Sequence, residues 1–334
     1  MNKNAKTILS AAGAATAGLA VSTALSYATT RRLVALALDR EGGRTFQELP
    51  AARRFLRGFE DTEEFLQRLQ NGAEALQKQP TRPVAIRAAD GTKLLGHWYP
   101  SAQPRRLLLA MHGWRSSWCR DFGLIADFWQ REGCSVLFAE QRGQGGSGGA
   151  FMGFGLTERF DCLDWARWLS QIQNQDLPIY LTGVSMGAAT VLMASDLAMP
   201  ENVRGVIADC GFTSPHAIWK HVAEKNLHLS FGLRGRMAEG ICRRKLQQGS
   251  RDFSAPQALQ NTRLPVLLIH GAKDHFVPVE MTYENYEACA GEKQLFIVPG
   301  ADHGMSYFKD PQGYEATMRS FWQQYDSPSP TPAQ

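Results

Sequence analysis

The pentapeptide Gly183-Val184-Ser185-Met186-Gly187 lies between an apolar run at 177–181 and a run of mostly small residues at 188–192. This order predicts a strand, a sharp turn that carries the serine, and a helix, an arrangement known as the nucleophile elbow. A serine on so sharp a turn takes strained backbone angles, and a glycine two residues away on either side leaves room for the strand and the helix. Because the pentapeptide is short and also arises by chance in glycine-containing loops, the rest of the chain must decide.

Two later loops supply the other groups that a nucleophilic serine needs. A serine hydroxyl attacks only when a base removes its proton and a carboxylate orients that base. The apolar run 264–271 predicts a buried strand with Asp274 just beyond it, and the run 294–298 predicts another strand that leads to His303. Serine, acid and histidine then follow one another in the order expected after an elbow. We therefore assign Asp274 as the acid and His303 as the base.

Other acidic and histidine side chains fit these roles less well. Asp209, at the end of a predicted strand at 205–208, is the alternative acid. Asp302 adjoins His303, and because neighbouring side chains diverge we expect it to cap the loop. His275 shares a loop with the acid and would have to fold back toward it. The remaining histidines are interpreted as structural or receive no catalytic role: His97, His112, His216, His221, His228 and His270.

Backbone amides are expected to stabilise the oxyanion that forms on the substrate. The amide of Met186 follows the serine at the start of the predicted helix, where the helix dipole also favours an anion. The second amide is assigned to Trp114, in the loop after an apolar strand at 107–111. Gly113 lets this loop pass close under the substrate carbonyl. The indole of Trp114 is a candidate roof for the pocket.

A glycine-rich stretch at 143–148 fits the dinucleotide-binding pattern G-x-G-x-x-G and follows a predicted strand at 135–139. That pattern requires a helix to open at its third glycine, whereas residues 149–155 continue as a glycine-containing loop. The sequence has no C-x-x-C, no H-E-x-x-H and no P-loop lysine. We therefore expect neither a cofactor nor a metal.

With these features the chain resembles the α/β hydrolases, and more narrowly the bacterial membrane-anchored, esterase-like hydrolases related to the Bem46 group. The resemblance extends over about residues 84–325 and implies Ser185, Asp274 and His303 as a catalytic triad. Glu140 stands where an aspartate is commoner in this group, a difference that we expect to affect loop bracing. The resemblance does not indicate a substrate. The matching stretches are 140–147, 183–189, 208–214, 269–278 and 300–304.

The length of 334 residues allows one large α/β domain and a terminal appendage. Over residues 81–325, which open with a hairpin at 83–99, predicted strands alternate with helices, which indicates a mostly parallel central sheet flanked by helices.

The alternation lapses at about 212–261, where such folds insert a small helical cap. Its apolar residues either line an acyl pocket or belong to a solvated helical excursion with a charged face. Residues 326–334, rich in serine and proline, are expected to form a disordered tail. Helices are predicted near 120–131, 157–172, 186–198, 279–290 and 312–325.

The amino terminus is the other distinctive region. Residues 7–30 carry no charge, and lysines precede them while two arginines follow. The length just suffices to span a bilayer, so we expect residues 1–30 to be a signal anchor that leaves the catalytic domain outside the cytoplasm. A small-x-small site at 26–28 offers the alternative of a cleaved signal peptide and a secreted domain, and a soluble alanine-rich helix is the third interpretation. Residues 31–80 are predicted to be helical and to pack on the core or link it to the bilayer.

Composition excludes some other functions. A formal net charge of +4, dispersed along the chain, does not favour nucleic-acid binding, and six irregularly spaced cysteines give no disulfide framework. The sequence therefore predicts a serine hydrolase that cleaves small-molecule carboxylic esters through an acyl-enzyme. An acyltransferase or a peptidase on the same triad, or a non-catalytic binding module, remains the alternative because one fold supports several chemistries.

Overall fold

The computed structural model describes residues 3–42, 62–172 and 177–326, with side chains described from Ala20 onward except that of Thr62. Its strands are β1 (Arg82–Arg87), β2 (Lys93–Tyr99), β3 (Arg106–Met111), β4 (Cys134–Glu140), β5 (Ile179–Val184), β6 (Val203–Asp209), β7 (Val266–Gly271) and β8 (Lys293–Val298). They form one sheet in the order β1-β2-β4-β3-β5-β6-β7-β8. The pairs β1–β2 and β2–β4 are antiparallel, and all other neighbours are parallel. With helices on both faces, this sheet confirms the predicted α/β-hydrolase fold.

The helices lie between and beside these strands. They are α1 (Lys3–Leu38), α2 (Thr62–Gln77), α3 (Trp118–Phe122), α4 (Ala126–Arg131), α5 (Glu158–Ile172), α6 (Met186–Ala194), α7 (Pro215–His221), α8 (Gly232–Leu246), α9 (Ala255–Leu259), α10 (Val279–Ala288), α11 (Ser306–Lys309) and α12 (Pro311–Tyr325), with a π-helical turn at Val222–Asn226. The central strands are buried on both faces, as parallel strands covered by helices must be. The hairpin predicted at 83–99 is the antiparallel pair β1–β2 at the sheet edge.

Two apolar clusters cover the two faces of the sheet. Trp165 of α5 and Val191 of α6 belong to one cluster, and Trp129 of α4 and Trp322 of α12 belong to the other. Successive residues of a strand point to opposite faces, and β3 accordingly supplies alternate side chains to the two clusters. The helices thus pack against both faces of the sheet, and the loops at the carboxyl ends of its strands lie outside this packing, where they can form the site.

The helix predicted near 120–131 is two short helices, α3 and α4. The break follows Gly123, which lies against α2. A Cβ atom at Gly123 would stand 2.4 Å from the carbonyl carbon of Gly72, so the backbones of the two segments nearly touch. Only glycine permits this approach. The other predicted helices agree with the observed ones to within a few residues.

The amino-terminal region differs from the expected division at residue 30, because α1 runs through that position without a break to Leu38. In the described part of the chain, no helix combines the length and the apolar character needed to cross a membrane. The expected anchor is therefore not supported. Of the predicted helical region 31–80, residues 43–61 lie outside the described residues, and α2 follows them.

The segment predicted as a cap contains α7, the π-helical turn, α8 and α9. Trp219 of α7 packs edge-on to Phe154 at 5.5 Å between ring centroids, so part of its apolar surface faces the main body of the protein. Arg243 of α8 stays exposed and pairs with Asp252. At the other end of the chain, residues 327–334 of the predicted tail lie outside the described residues.

Candidate active site

The turn between β5 and α6 carries Ser185 in a strained backbone conformation of positive φ, with φ of 56° and ψ of −116°. The flanking glycines are required by close contacts. A Cβ atom at Gly183 would stand 2.3 Å from the backbone of Gly187, and one at Gly187 would stand 1.8 Å from the carbonyl oxygen of Met111. Any larger residue would therefore push the helix away from the sheet. The amide of Ser185 donates to the carbonyl of Asp209 at 2.9 Å, which ties the turn to β6.

The structure brings the three predicted triad residues into contact. His303 Nε2 lies 2.9 Å from Ser185 Oγ, and His303 Nδ1 lies 2.7 Å from Asp274 Oδ2. Ser185 follows β5, Asp274 follows β7 and His303 follows β8. Because these strands are parallel, their carboxyl ends meet at one edge of the sheet. Both distances are within the range of hydrogen bonds.

Asp274 is held by four groups. Its Oδ1 accepts from the amides of Phe276 and Val277 at 2.9 and 2.8 Å, and its Oδ2 lies 3.1 Å from His270 Nε2 as well as beside His303. Burial alone would raise the pKa of Asp274, but His303 and His270 lower it well below its ordinary value. The carboxylate is therefore ionised at neutral pH and fixed toward His303.

His303 has a further neighbour that no sequence motif indicates. The Cys210 sulfur, one carboxylate oxygen of Asp274 and a ring nitrogen of His303 lie within 4.8 Å of one another. Burial alone would lower the pKa of His303, but the charge of Asp274 raises it well above its ordinary value. Burial raises the pKa of the Cys210 thiol to about 11, so the sulfur stays protonated. These three are the one group of potential metal ligands among the described residues.

The alternative acid, Asp209, lies outside the contact between serine and histidine. It is buried, and its Oδ1 accepts a hydrogen bond from Ser306 Oγ at 3.0 Å. Burial raises the pKa of Asp209 to about 6, although the Ser306 bond lowers it. Asp302 accepts from the amides of His275 and His303 at 3.1 and 2.7 Å, as expected of a residue that caps the loop.

The histidines interpreted as structural have internal partners. The ring of His270 is fully buried and lies 2.6 Å from Thr282 Oγ1 and 2.9 Å from the carbonyl of Val277. His112 is also buried, and its Nε2 accepts from the amide of Gln141 at 3.2 Å. His270 nevertheless touches the acid Asp274, so it supports the site rather than only the core.

The residues expected to donate to the oxyanion are both close to the serine along the chain or in the fold. Met186 is the first residue of α6, so its amide belongs to the helix end at which partial positive charge gathers. Trp114 lies in the loop after β3, and a Cβ atom at the preceding Gly113 would stand only 3.4 Å from Ser185 Cβ. Asp121 braces this loop, because its Oδ2 accepts from the amide of Gly113 at 2.6 Å.

The indole of Trp114 faces the amino-terminal helix. Its Nε1 donates to the carbonyl of Ala37 at 2.9 Å, and its ring packs against Phe154 at 6.2 Å between centroids. The indole is expected from the sequence to cover the pocket, but it lies between the loop and α1. Phe276 lies edge-on to His303, the predicted base, at 5.0 Å between ring centroids.

The glycine-rich stretch at 143–148 forms a braced loop. Glu140 accepts from the amide of Gly146 and lies 2.7 Å from His97 Nε2, in keeping with the bracing role expected for it. The next helix, α5, does not begin until Glu158, so no helix opens at the third glycine of the pattern. A dinucleotide would lack the helix end that binds its phosphates.

The arrangement as a whole can activate a hydroxyl. An ionised carboxylate, an imidazole and a serine oxygen follow one another at hydrogen-bond distances, and the serine stands at a helix start that favours negative charge. Ser185 is 8% exposed, so most of its surface is shielded from bulk water. Such shielding strengthens the electrostatic interactions on which an oxyanion depends.

Comparison with known proteins finds one family model that matches part of the chain and relatives of low sequence identity. The family described as Hydrolase_4, serine aminopeptidase, S33, matches residues 102–252, a range that includes Ser185 and ends before Asp274. The chain is 28% identical over 193 residues to the uncharacterised protein YqkD of Bacillus subtilis, with 57% of this chain and 62% of YqkD covered. The aligned part thus spans less than two thirds of that relative.

Two further similarities cover more of the chain. It is 24% identical over 247 residues to the uncharacterised protein YfhR of Escherichia coli, with 71% of this chain and 79% of YfhR covered. The solved structure of the Pyrococcus furiosus esterase Pf2001 superimposes with a TM-score of 0.63 at 20% identity, covering 76% of this chain and 94% of the esterase. The structural similarity, together with the sheet order, shows the α/β-hydrolase fold.

Proposed function

We propose that this α/β-hydrolase-fold protein is a serine hydrolase that cleaves carboxylic esters through an acyl-enzyme. The observation that carries the proposal is the unbroken series of contacts from Asp274 through His303 to Ser185. A carboxylate with a strongly lowered pKa stabilises the imidazolium that forms when the histidine takes a proton. An unrelated binding surface would not need this order of groups.

In the first half-reaction, Ser185 Oγ attacks the ester carbonyl carbon while its proton passes to His303 Nε2. The carbonyl electron pair moves to oxygen, and the amides of Met186 and Trp114 donate to that oxyanion. Collapse of the tetrahedral intermediate reforms the carbonyl and breaks the bond to the leaving oxygen. His303 returns its proton to that oxygen, so the alcohol departs and the acyl group stays on Ser185.

In the second half-reaction, water takes the place of the alcohol. His303 accepts a proton from the water, and the resulting hydroxide attacks the acyl carbon. The second oxyanion uses the same two amides, and its collapse expels Ser185 Oγ, which recovers the proton from His303. Asp274 keeps its charge throughout, because its role is to orient the ring and to stabilise the imidazolium.

A peptidase on the same residues is the second candidate, favoured by the description of the matching family as a serine aminopeptidase. The esterase name of the Pyrococcus furiosus neighbour favours the ester instead. The two candidates differ in the group that leaves, so they separate by product. We expect measurable turnover of short p-nitrophenyl esters, and none of aminoacyl p-nitroanilides, under one set of conditions.

The test of the proposal is the variant Ser185→Ala. Loss of the nucleophile from a triad removes nearly all of its catalysis, so kcat for p-nitrophenyl acetate should fall by about 10,000-fold or more. Ser320→Ala is a matched control, since Ser320 is an exposed serine of α12 and is not expected to form the acyl-enzyme. Turnover that survives in Ser185→Ala would contradict the proposal.

A further inference from the structure

The carboxyl-terminal turn of α1 lies against the loop that carries the proposed oxyanion donor. We call residues Leu36–Arg40 the α1 end. Arg115 follows Trp114 directly, and its Nη2 donates to the carbonyls of Leu36 and Asp39 at 2.6 and 2.7 Å. The indole of Trp114 donates to the carbonyl of Ala37 at 2.9 Å. Two consecutive side chains of the loop thus bind one turn of one helix.

The backbone of Arg115 needs such support. Its φ is 51°, in the left-handed region, although the residue is not a glycine. Residues held there cost of order 1–3 kcal/mol and persist only where the surroundings fix them. The amide of Arg115 donates to Gln144 Oε1 at 2.6 Å, so the strained residue is fixed through both its backbone and its side chain.

The guanidinium of Arg115 binds carbonyl oxygens at a helix end. The last carbonyls of a helix carry partial negative charge, and a cation there is favourable. Burial lowers the pKa of Arg115, although Asp39 raises it, because the guanidinium is partly desolvated. The fork of donors replaces the lost water with three carbonyls of the α1 end: Leu36, Asp39 and Arg40.

The α1 end is itself fixed from other directions. The amide of Met152 donates to the carbonyl of Leu38 at 2.7 Å, and the amide of Arg40 donates to the carbonyl of Ala150 at 2.9 Å. Lys245 of α8 reaches the carboxylate of Asp39 at 2.8 Å. The α1 end is therefore bound both to the loop before α5 and to α8 of the predicted cap, and these contacts fix its position.

We propose that Arg115 is a positioning residue. By binding the α1 end, it holds the loop that carries Trp114 in place and so keeps the Trp114 amide in position beside Ser185. The inference rests on the proposed function, because it concerns the donor to the oxyanion of that reaction. Arg115 acts through Trp114 and has no direct role toward the substrate or Ser185. The amino-terminal helix thereby becomes part of the catalytic apparatus.

The proposal predicts a particular kinetic effect. The oxyanion exists only in the tetrahedral intermediates, so a misplaced amide weakens them and leaves binding of the ester nearly unchanged. For Arg115→Met, which keeps the stem and removes the donors, we expect kcat per active site to fall by about 10- to 100-fold with KM within about threefold. Arg115→Lys keeps the charge without the fork, and its kcat should fall by about 3- to 10-fold.

The experiment measures kcat and KM with p-nitrophenyl acetate, normalised to sites titrated in the pre-steady-state burst, alongside inhibition by a phenylboronic acid that forms a tetrahedral adduct with the serine. The control Arg120→Met removes an exposed arginine of α3 and should match the parent. In Arg115→Met the boronic acid inhibition constant should rise by the same factor by which kcat/KM falls. A merely structural role would lower the number of titrated sites and leave kcat per site unchanged.

Trp114→Phe provides a second variant should Arg115→Met not fold, because it removes the indole donor to Ala37 and keeps the backbone amide. The same loss of kcat and of boronic acid affinity is expected, at about 3- to 10-fold. Parental kcat in both Arg115→Met and Trp114→Phe, with Ser185→Ala inactive, would overturn this inference and leave the proposed function standing. Activity in Ser185→Ala would overturn the proposed function itself.

Discussion

At the scale of single residues, the reactivity of Ser185 in the proposed mechanism depends on the protonation state of His303. Asp274 raises the pKa of His303 well above its ordinary value, against the lowering effect of burial. The base must be neutral, so kcat/KM should fall as the pH drops through this raised pKa, with a midpoint above about 6.5, the ordinary value for histidine. The measurement is kcat/KM for p-nitrophenyl acetate against pH, followed at the isosbestic wavelength of the product.

Asp274→Asn gives the control for this pH dependence. Without the negative charge of Asp274, the imidazolium of His303 loses its main stabilisation, so the acid limb should move to lower pH. The wrong tautomer of the ring should also cost about 10,000-fold in kcat. An acid limb at the same pH in the variant and the parent would contradict the assignment of Asp274 as the partner of His303.

The glycines of the elbow make a second prediction at this scale. A Cβ atom at Gly187 would stand 1.8 Å from the carbonyl oxygen of Met111, so Gly187→Ala must displace backbone. We expect it to lower the free energy of unfolding by about 3 kcal/mol or more. Gly240→Ala is the matched control, because its Cβ meets nothing within 4 Å on α8, and alanine there should raise stability by about 1 kcal/mol. Urea unfolding measures both, and equal effects would contradict the account of the turn.

Single residues show what the sequence can reveal about the site. The glycines around Ser185 are a local requirement of the turn, so the pentapeptide and the runs on either side of it predict the turn. Asp274 and His303 each follow an apolar strand, which is again a local signal. Cys210 beside His303 has no such signal, because the contact arises only when β6 and β8 lie near each other in the sheet. The cysteine looks like any small buried residue in the sequence.

At the scale of elements, the end of α12 is fastened to the sheet by Asp326, a residue that the sequence assigns to the disordered tail. Its carboxylate lies 2.7 Å from Arg106 Nη2 and accepts from the hydroxyl of Tyr180 at 3.0 Å. The Arg106 side chain is only 6% exposed, so Asp326→Asn leaves a buried cation without its counterion. We expect a loss of about 2–4 kcal/mol in the free energy of unfolding, measured with urea.

An exposed ion pair is the comparison for Asp326. Glu64 and Arg68 lie one turn apart on α2, at 2.9 Å, and both side chains are 60% exposed. Such pairs contribute little, because water and salt screen them, so Glu64→Gln should change stability by less than about 0.5 kcal/mol. A loss from Asp326→Asn no larger than that from Glu64→Gln would show that α12 is not held in this way.

The elements also mark where sequence reasoning stops. Apolar runs predict the strands because parallel strands are buried on both faces, and the alternation with helices predicts the order of layers. Where the helix predicted near 120–131 divides, Gly123 approaches Gly72, a contact between segments far apart in sequence. The binding of the α1 end by Arg115 is also a contact between distant segments, and no local sequence pattern at either partner predicts it.

At the scale of the whole molecule, all six cysteines are free and buried. Burial raises the pKa of the Cys134 thiol to about 12, so few thiolates are available to react. We expect less than about one thiol per folded chain to react rapidly with Ellman's reagent. In denaturant, all six thiols should react. A reducing agent should leave the thermal midpoint unchanged. Several fast thiols in the native protein would contradict the packing described for the core.

The whole molecule also explains why the site forms where it does. The loops after β3, β5, β7 and β8 supply Trp114, Ser185, Asp274 and His303, and these strands run parallel. Groups scattered over nearly two hundred residues of sequence therefore meet at one edge of the sheet. The amino-terminal helix reaches the same edge and contacts the loop of Trp114, which joins a segment outside the alternating strands and helices to the site.

The most direct test of the central claim is to label the full chain with a fluorophosphonate and to locate the adduct by mass spectrometry of its peptides. We expect a single phosphonylated residue, Ser185, and loss of labelling in both Ser185→Ala and His303→Ala, because the hydroxyl is activated only through the contact that His303 makes with it. Absence of labelling in the folded parent, or an adduct on another residue that persists in both variants, would contradict the account.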